Sequence, residues 1–172
     1  MPDAACGPLI LGASGQVGYF LLQRIGADAR ACSRRIPPWA GPFTAGWQPL
    51  DLWKDTWPSP WTQLISAGPL DACVAWLERS GPGALRQIVA LGSMSAVHKQ
   101  ASPSQEERAV AQRLREHEQR LLAFAATHAI QCTMLRPTLI WGAGLDHSLT
   151  PFARRAARRG WALIPSGARG LR

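Results

Sequence analysis

The 172 residues carry 19 Lys plus Arg against 11 Asp plus Glu, a formal net charge of +8, in a length that suits one domain around a single core. With 47% hydrophobic and 17% charged residues, and 16 Gly and 14 Pro spread along the chain, the composition excludes disorder and collagen-like sequence. Tyr19 is the only tyrosine and Lys54 and Lys99 are the only lysines, which excludes any mechanism that needs a Tyr and Lys pair on one helix.

Pro8 to Ala13 is a short apolar run, and Gln16 to Ile25 then places Val17, Phe20, Leu21, Leu22 and Ile25 at helical spacing. The period changes from strand to helix across a Gly-rich turn. Ala29 to Ser33 reads as a second strand, Phe43 to Trp47 as a third near the sheet edge, and Gln63 to Ala67 as a fourth, ended by Gly68-Pro69. Asp71 suits the cap of a helix running to about Arg79, which Gly81-Pro82-Gly83 stops. Gln87 to Leu91 is the fifth strand. Ser102, Pro103 and Gln105 form a capping-box start for a helix to about His128, with Val110, Leu114, Leu121 and Ala125 on its buried face. Gln131 to Leu135 is the sixth strand. Strand and helix alternate, so the expected fold is α/β, a doubly wound parallel sheet covered on both faces. In such sheets ligands sit beyond the carboxyl ends of the strands. The segments there are Gly12 to Gly18, Ser33 to Arg35, Asp51-Leu52, Ser66 to Pro69, Gly92 to Ser95 and Pro137 to Gly144.

No stretch reaches the ~18 consecutive apolar residues of a membrane span. Met1 to Pro8 holds Asp3 and no basic residue, which is no export signal, so a cytoplasmic location without a membrane partner is expected. Cys6, Cys32, Cys73 and Cys132 are too far apart for the paired spacing of a zinc site. They read as reduced, mostly buried thiols, and no metal is expected.

Gly12-Ala13-Ser14-Gly15-Gln16-Val17-Gly18 follows a strand and opens a helix. In that context glycines permit a tight turn and close approach of a pyrophosphate, while the free N–H groups of the helix start face the anion. A turn without ligand is the plainer reading of the same residues. Ser33-Arg34-Arg35 lies where an NAD site would carry an acid for the ribose hydroxyls. A hydroxyl and guanidinium groups suit a 2′-phosphate instead, so NADP(H) is the preferred cofactor, with NAD(H) possible. Asp51, before Leu52, either faces the adenine or caps the local turn.

Taken with Val89-Ala-Leu-Gly-Ser-Met-Ser95, Glu118-Gln-Arg-Leu-Leu122 and Leu135-Arg-Pro-Thr-Leu-Ile-Trp-Gly-Ala-Gly144, the glycine loop resembles the extended and atypical short-chain dehydrogenase/reductase group, the NAD(P)-dependent epimerase/dehydratase family. The resemblance covers essentially the whole chain. It implies a Rossmann NAD(P)-binding domain over residues 1–145 and an incomplete start of a substrate-binding region over 146–172. It also implies that Ala67, Gly68 and Pro69 line the cofactor, with Ser93 after the fifth strand, and that Pro137 and Leu139 lie near the nicotinamide. The family's Tyr-x-x-x-Lys pair falls on Val110 and Leu114, and Met94 takes the place of its hydroxyl residue, one position from Ser95. Family members continue past a segment like Ile164 to Gly170, so the chain reads as a short form, a truncated product or a fragment.

Three function classes follow. The first is an NADP(H)-binding protein that senses cofactor or binds a partner without the usual catalytic residues. The second is a working reductase or epimerase on a nucleotide-sugar-like substrate, moving protons through Ser95, His117 or a water. The third rests on the six arginines and no acid between His147 and Arg172. They suit substrate phosphates, an acidic partner or nucleic acid, although no RNA-binding motif accompanies them and a solvated face explains them equally. A protein partner or a second copy stays open. His98, His117, His128 and His147 show no ligand spacing, and Ser93, Ser95 and His98 lack an orienting acid and a nucleophile elbow. Several of Trp39, Trp47, Trp53, Trp57, Trp61 and Trp141 are expected to cover the sheet edge, others to line the cleft.

Overall fold

The computed structural model describes residues 7–56, 61–147 and 149–163. Six parallel strands, β1 (Leu9–Leu11), β2 (Arg30–Ser33), β3 (Trp47–Pro49), β4 (Gln63–Ser66), β5 (Gln87–Leu91) and β6 (Gln131–Leu135), form one sheet in the order β3-β2-β1-β4-β5-β6. The helices are α1 (Gln16–Ile25), α2 (Leu70–Ser80), the single turn α3 (Ser95–His98), α4 (Gln105–Thr127) and α5 (Leu149–Arg159). Strand order reverses between β1 and β4, which places a crevice at their carboxyl ends.

Alternation along β1 divides the core. Leu9 and Leu11 point to one face with Leu64, Ile88 and Ala90, where α2 and α4 bring Val74, Trp76, Leu77 and Leu121. Ile10 points to the other face with Ala31, Ala40 and Leu22 of α1. Each fully buried leucine or isoleucine contributes roughly 1.5–3 kcal/mol, and this double layer anchors β1 and the turn after it. Among the described residues the expected cover on both faces is complete only for the β3-β2-β1 half. On the α1 side of β5 and β6, Val89 and Leu91 are half-buried while Thr133 and Leu135 are exposed.

Three local expectations change. Phe43 to Gly46 belongs to a 3-10 segment, Pro38–Gly46, and the third strand starts only at Trp47. The reason lies in Pro38, which starts the first 3-10 turn, and in the kink at Gly41 (φ 20°), after which the Thr44 hydroxyl donates to the Gly41 carbonyl at 2.5 Å. α2 is preceded by Pro69, and Asp71 sits inside its first turn. The cap of α4 is Ser104, whose Oγ accepts from the Glu107 N–H at 3.4 Å, while the Ser102 hydroxyl donates to the Glu107 carboxylate at 2.5 Å. Ser102 therefore braces the first turn from outside. On the same helix the buried positions are Ala111, Glu118, Leu121 and Ala125, and Val110 and Leu114 are half-buried at the margin.

Candidate functional site

The turn after β1 is built around backbone contact. Gly12 has φ +71°, and a Cβ there would lie 2.5 Å from the Gly68 Cα and N and 2.8 Å from the Ala67 carbonyl carbon. Ala67 and Gly68 thus shape the loop by touching Gly12 where the strand order reverses. Ala67 N donates to the Leu11 carbonyl at 2.9 Å and Ala13 N to the Cys32 carbonyl at 3.0 Å, tying the turn to both neighbouring strands. Gly18 packs so closely on the Ala13 backbone that a Cβ would overlap it. Gly15 is different. Its φ is −81° and a Cβ would meet only the Gly12 carbonyl, at 3.4 Å, so the space before the helix stays open.

Gly15 caps α1 without a side-chain bond, and the first turn holds no acid. The first helical N–H with a partner is that of Tyr19, on the Gly15 carbonyl at 2.9 Å, which leaves the N–H groups of Gln16, Val17 and Gly18 at the positive end of the helix dipole for an anion. The Gln16 side-chain oxygen is buried there without a partner among the described residues.

Beside this loop a cleft of about 880 Å³ runs across the ends of β1, β2 and β3 to the start of α2. Among the sequence-derived residues, Gly12, Ser14, Ser33, Arg34, Arg35, Asp51, Leu52 and Pro69 line it. Ile36, Pro37, Pro38, Leu50, Trp53 and Ala72 also line it, and no periodic or motif signal points to them. Arg34 and Arg35 are exposed, and neither guanidinium is tied to a carboxylate among the described residues. Ser33 is committed internally: its hydroxyl donates to the Arg35 carbonyl at 2.6 Å and accepts the Trp47 indole N–H at 3.1 Å. It has no proton left for a ligand. Asp51 Oδ1 accepts from Trp53 N at 3.0 Å, and its own N–H donates to the Asp55 carboxylate at 2.6 Å. Asp51 therefore closes the local turn as well as lining the wall. Cys32 also lines the cleft, but burial pushes its thiol up to about 12, so it holds its proton at neutral pH.

The far end of the crevice is formed by the loops after β5 and β6. Gly92 N donates to the Leu135 carbonyl at 2.8 Å and Met94 N to the Pro137 carbonyl at 3.0 Å, while Ser93 Oγ accepts from Ser95 N at 3.2 Å. Ser93, Pro137 and Leu139 belong to this end and do not line the cleft. An ion pair between a buried carboxylate and an exposed guanidinium underpins it. Glu118, 3% exposed, receives Arg136 in a fork, Nε at 2.9 Å and Nη2 at 2.7 Å to Oε2, and the pair lies where a Cβ on Gly92 would overlap the carboxylate. Two of the motifs noted in the sequence thus meet through one charge-assisted contact.

Val110 and Leu114 are half-buried on α4, which packs against α3. His117 is not drawn into the cleft, since its Nδ1–H donates to the Arg113 carbonyl of its own helix at 2.9 Å. Tyr19 packs edge-on between Phe20 and Trp39, with ring centroids 5.3 and 5.1 Å away. Of the tryptophans, Trp53 lines the cleft, Trp39 and Trp47 cover the β2-β3 side, Trp61 is in the core and Trp141 is 63% exposed; Trp57 lies outside the described residues. Cys73, pushed up to about 11, and Cys132, raised, owe their shifts chiefly to burial, and Cys6 lies outside the described residues. α5 carries Arg154, Arg155, Arg158 and Arg159 exposed and has no buried residue, while Arg169 and Arg172 lie outside the described residues.

No family model matches the sequence, and no curated protein matches it by sequence. Solved structures match the fold. CapF from Staphylococcus aureus, a capsular polysaccharide assembling protein, aligns with a TM-score of 0.60 at 16% identity over 96% of this chain and 44% of its own. ChuY from E. coli CFT073 aligns at 0.55 and 12% identity over 88% of this chain and 90% of its own. The oxidoreductase ylbE from Lactococcus lactis aligns at 0.50 and 12% identity over 88% and 84%. The chain spans about half the length of CapF and of a further match, gox2253, 44% and 51%. These likenesses and the strand order define a doubly wound α/β Rossmann-type fold. Among the described residues no helix is long and apolar enough to cross a membrane.

Proposed function

We propose that the protein binds NADP(H), with the adenosine half in the cleft and the pyrophosphate over the start of α1, and that it acts as a cofactor-binding or cofactor-sensing protein without the family's proton-transfer pair. The carrying observation is that Gly12 and Ser14, from the loop that leads into a helix start without a side-chain cap, line one cleft with Arg34 and Arg35, neither of which is paired with a carboxylate among the described residues. The group fits these residues: Gly15 leaves backbone space, and Arg34 and Arg35 supply charge for a 2′-phosphate. When bound, such a cofactor supplies or accepts hydride. The chain's own part is to bind and orient it, because Val110 and Leu114 can neither give nor take a proton. The neighbour ylbE is an oxidoreductase by its description, which agrees with a nicotinamide site in this fold. Titration of tryptophan fluorescence tests the proposal through Trp53, 56% exposed in the cleft wall. NADPH is expected to quench at micromolar concentration and NADH only at higher concentration. Lack of any response to either nucleotide would refute the proposal.

A further inference from the structure

We infer that Trp47 and Ser33 set the preference for a 2′-phosphorylated nucleotide by holding the turn that carries Arg34 and Arg35, an inference that rests on the NADP(H) site proposed above. The sequence alone assigns Ser33 a direct hydroxyl contact with phosphate. The geometry gives it another role. A serine hydroxyl has one proton, and here that proton goes to the Arg35 carbonyl at 2.6 Å while a lone pair takes the Trp47 N–H at 3.1 Å. The Ser33 carbonyl in turn accepts from Leu50 N at 3.0 Å. The turn is thus held through the Ser33 side chain by Trp47 of β3 and through the Ser33 carbonyl by Leu50 just after that strand, and Trp47 is itself packed. Trp47 is 7% exposed, and its ring stands edge-on to Trp39 at 5.7 Å, which meets Tyr19 at 5.1 Å. These bonds restrain the Arg35 backbone without a ligand, so a phosphate bears less of the cost of ordering it. A dinucleotide without the 2′-phosphate makes no use of that order. Trp47 and Ser33 are accordingly positioning residues that act on NADPH more than on NADH.

Calorimetric titration of the full chain with NADPH and with NADH tests this in the wild type and in Ser33→Ala, Ser33→Thr and Trp47→Phe. Ser33→Ala removes both bonds at a half-exposed site. Trp47→Phe keeps a ring and removes the N–H. Both are expected to lower the NADPH-over-NADH preference by about fivefold, the worth of one neutral hydrogen bond, by weakening NADPH more than NADH, and Ser33→Thr is expected to keep the wild-type preference. If Trp47→Phe fails to fold, Ser33→Ala and Ser33→Thr decide. A purely structural role would weaken both nucleotides together or neither, and an unmoved preference in Ser33→Ala overturns the inference while leaving the NADP(H) site standing. A wild type that binds neither nucleotide overturns the proposed function, and this inference with it.

Discussion

Two alanine substitutions in the same loop separate a glycine kept for the fold from one kept for the ligand. At Gly12 an alanine would hold φ +71°, with its Cβ 2.5 Å from the Gly68 backbone. The left-handed conformation costs about 1–2 kcal/mol. The overlap is with main chain, so no rotamer relieves it, and parting the β1 and β4 loops adds about 1–3 kcal/mol. At about 2–4 °C per kcal/mol for a domain of this size, Gly12→Ala is expected to lower Tm by about 5–15 °C. At Gly15 the φ of −81° suits any residue and the nearest atom is 3.4 Å away, so Gly15→Ala costs about 1 kcal/mol or less at a cap position. Its methyl group stands where a pyrophosphate would approach, and NADPH affinity is expected to fall about tenfold or more, close contact being the reason for glycine there. Thermal melts followed by circular dichroism, with calorimetric titration of NADPH, read both quantities. A Gly15→Ala protein that binds as the wild type does, or a Gly12→Ala protein that melts with it, would refute the reasoning.

Arg34→Ala is expected to weaken NADPH about tenfold, a charge-assisted hydrogen bond's worth, and to leave NADH unchanged; equal losses for both would count against a 2′-phosphate contact. Arg136→Met leaves the Glu118 carboxylate, 3% exposed, without its partner and should cost about 1–2 kcal/mol in urea unfolding, less than for a fully buried pair because Arg136 is 41% exposed. Glu118→Gln added to it should recover part of that loss, and additive losses would contradict a shared pair. The thiols of Cys32 and Cys73 are raised from 9.0 to about 12 and about 11 by burial. The unfolded chain releases these protons near pH 9 while the folded chain keeps them, so stability present below pH 9 is lost as pH rises toward 11. The urea midpoint should fall over that range, and a flat midpoint would argue against burial. On the proposed reading, in which Val110 and Leu114 replace a proton-transfer pair, NADPH oxidation with a carbonyl panel should not exceed background; measurable turnover, lost in Ser95→Ala or His117→Ala, would favour the enzymatic reading instead.

What the sequence made legible is local or periodic. The glycine loop, the helix after it and the arginines after β2 are contiguous, and their spacing alone places them at the ends of neighbouring strands. The third strand starts later than its side chains indicate, because Phe43 to Trp47 has a strand-like pattern whereas the stretch after the kink at Gly41 forms 3-10 turns up to Gly46. The role of Ser33 was hidden because its partner, Trp47, comes from the neighbouring strand 14 residues on. Glu118 and Arg136 are similarly 18 residues apart on a helix and a strand end, so a motif could flag each without showing that they meet. Cleft residues such as Ile36 and Trp53 carry no motif, since lining an open wall demands only that a side chain be nearby.

The central claim is that the cleft takes an adenosine carrying a 2′-phosphate, and the measurement that meets it most directly is competition between adenosine 2′,5′-bisphosphate and 5′-AMP for the wild-type protein. The bisphosphate is expected to displace NADPH and to bind about tenfold more tightly than 5′-AMP, with the difference shrinking as salt screens the exposed arginines. Equal affinity for the two, or no displacement of NADPH by the bisphosphate, would contradict it.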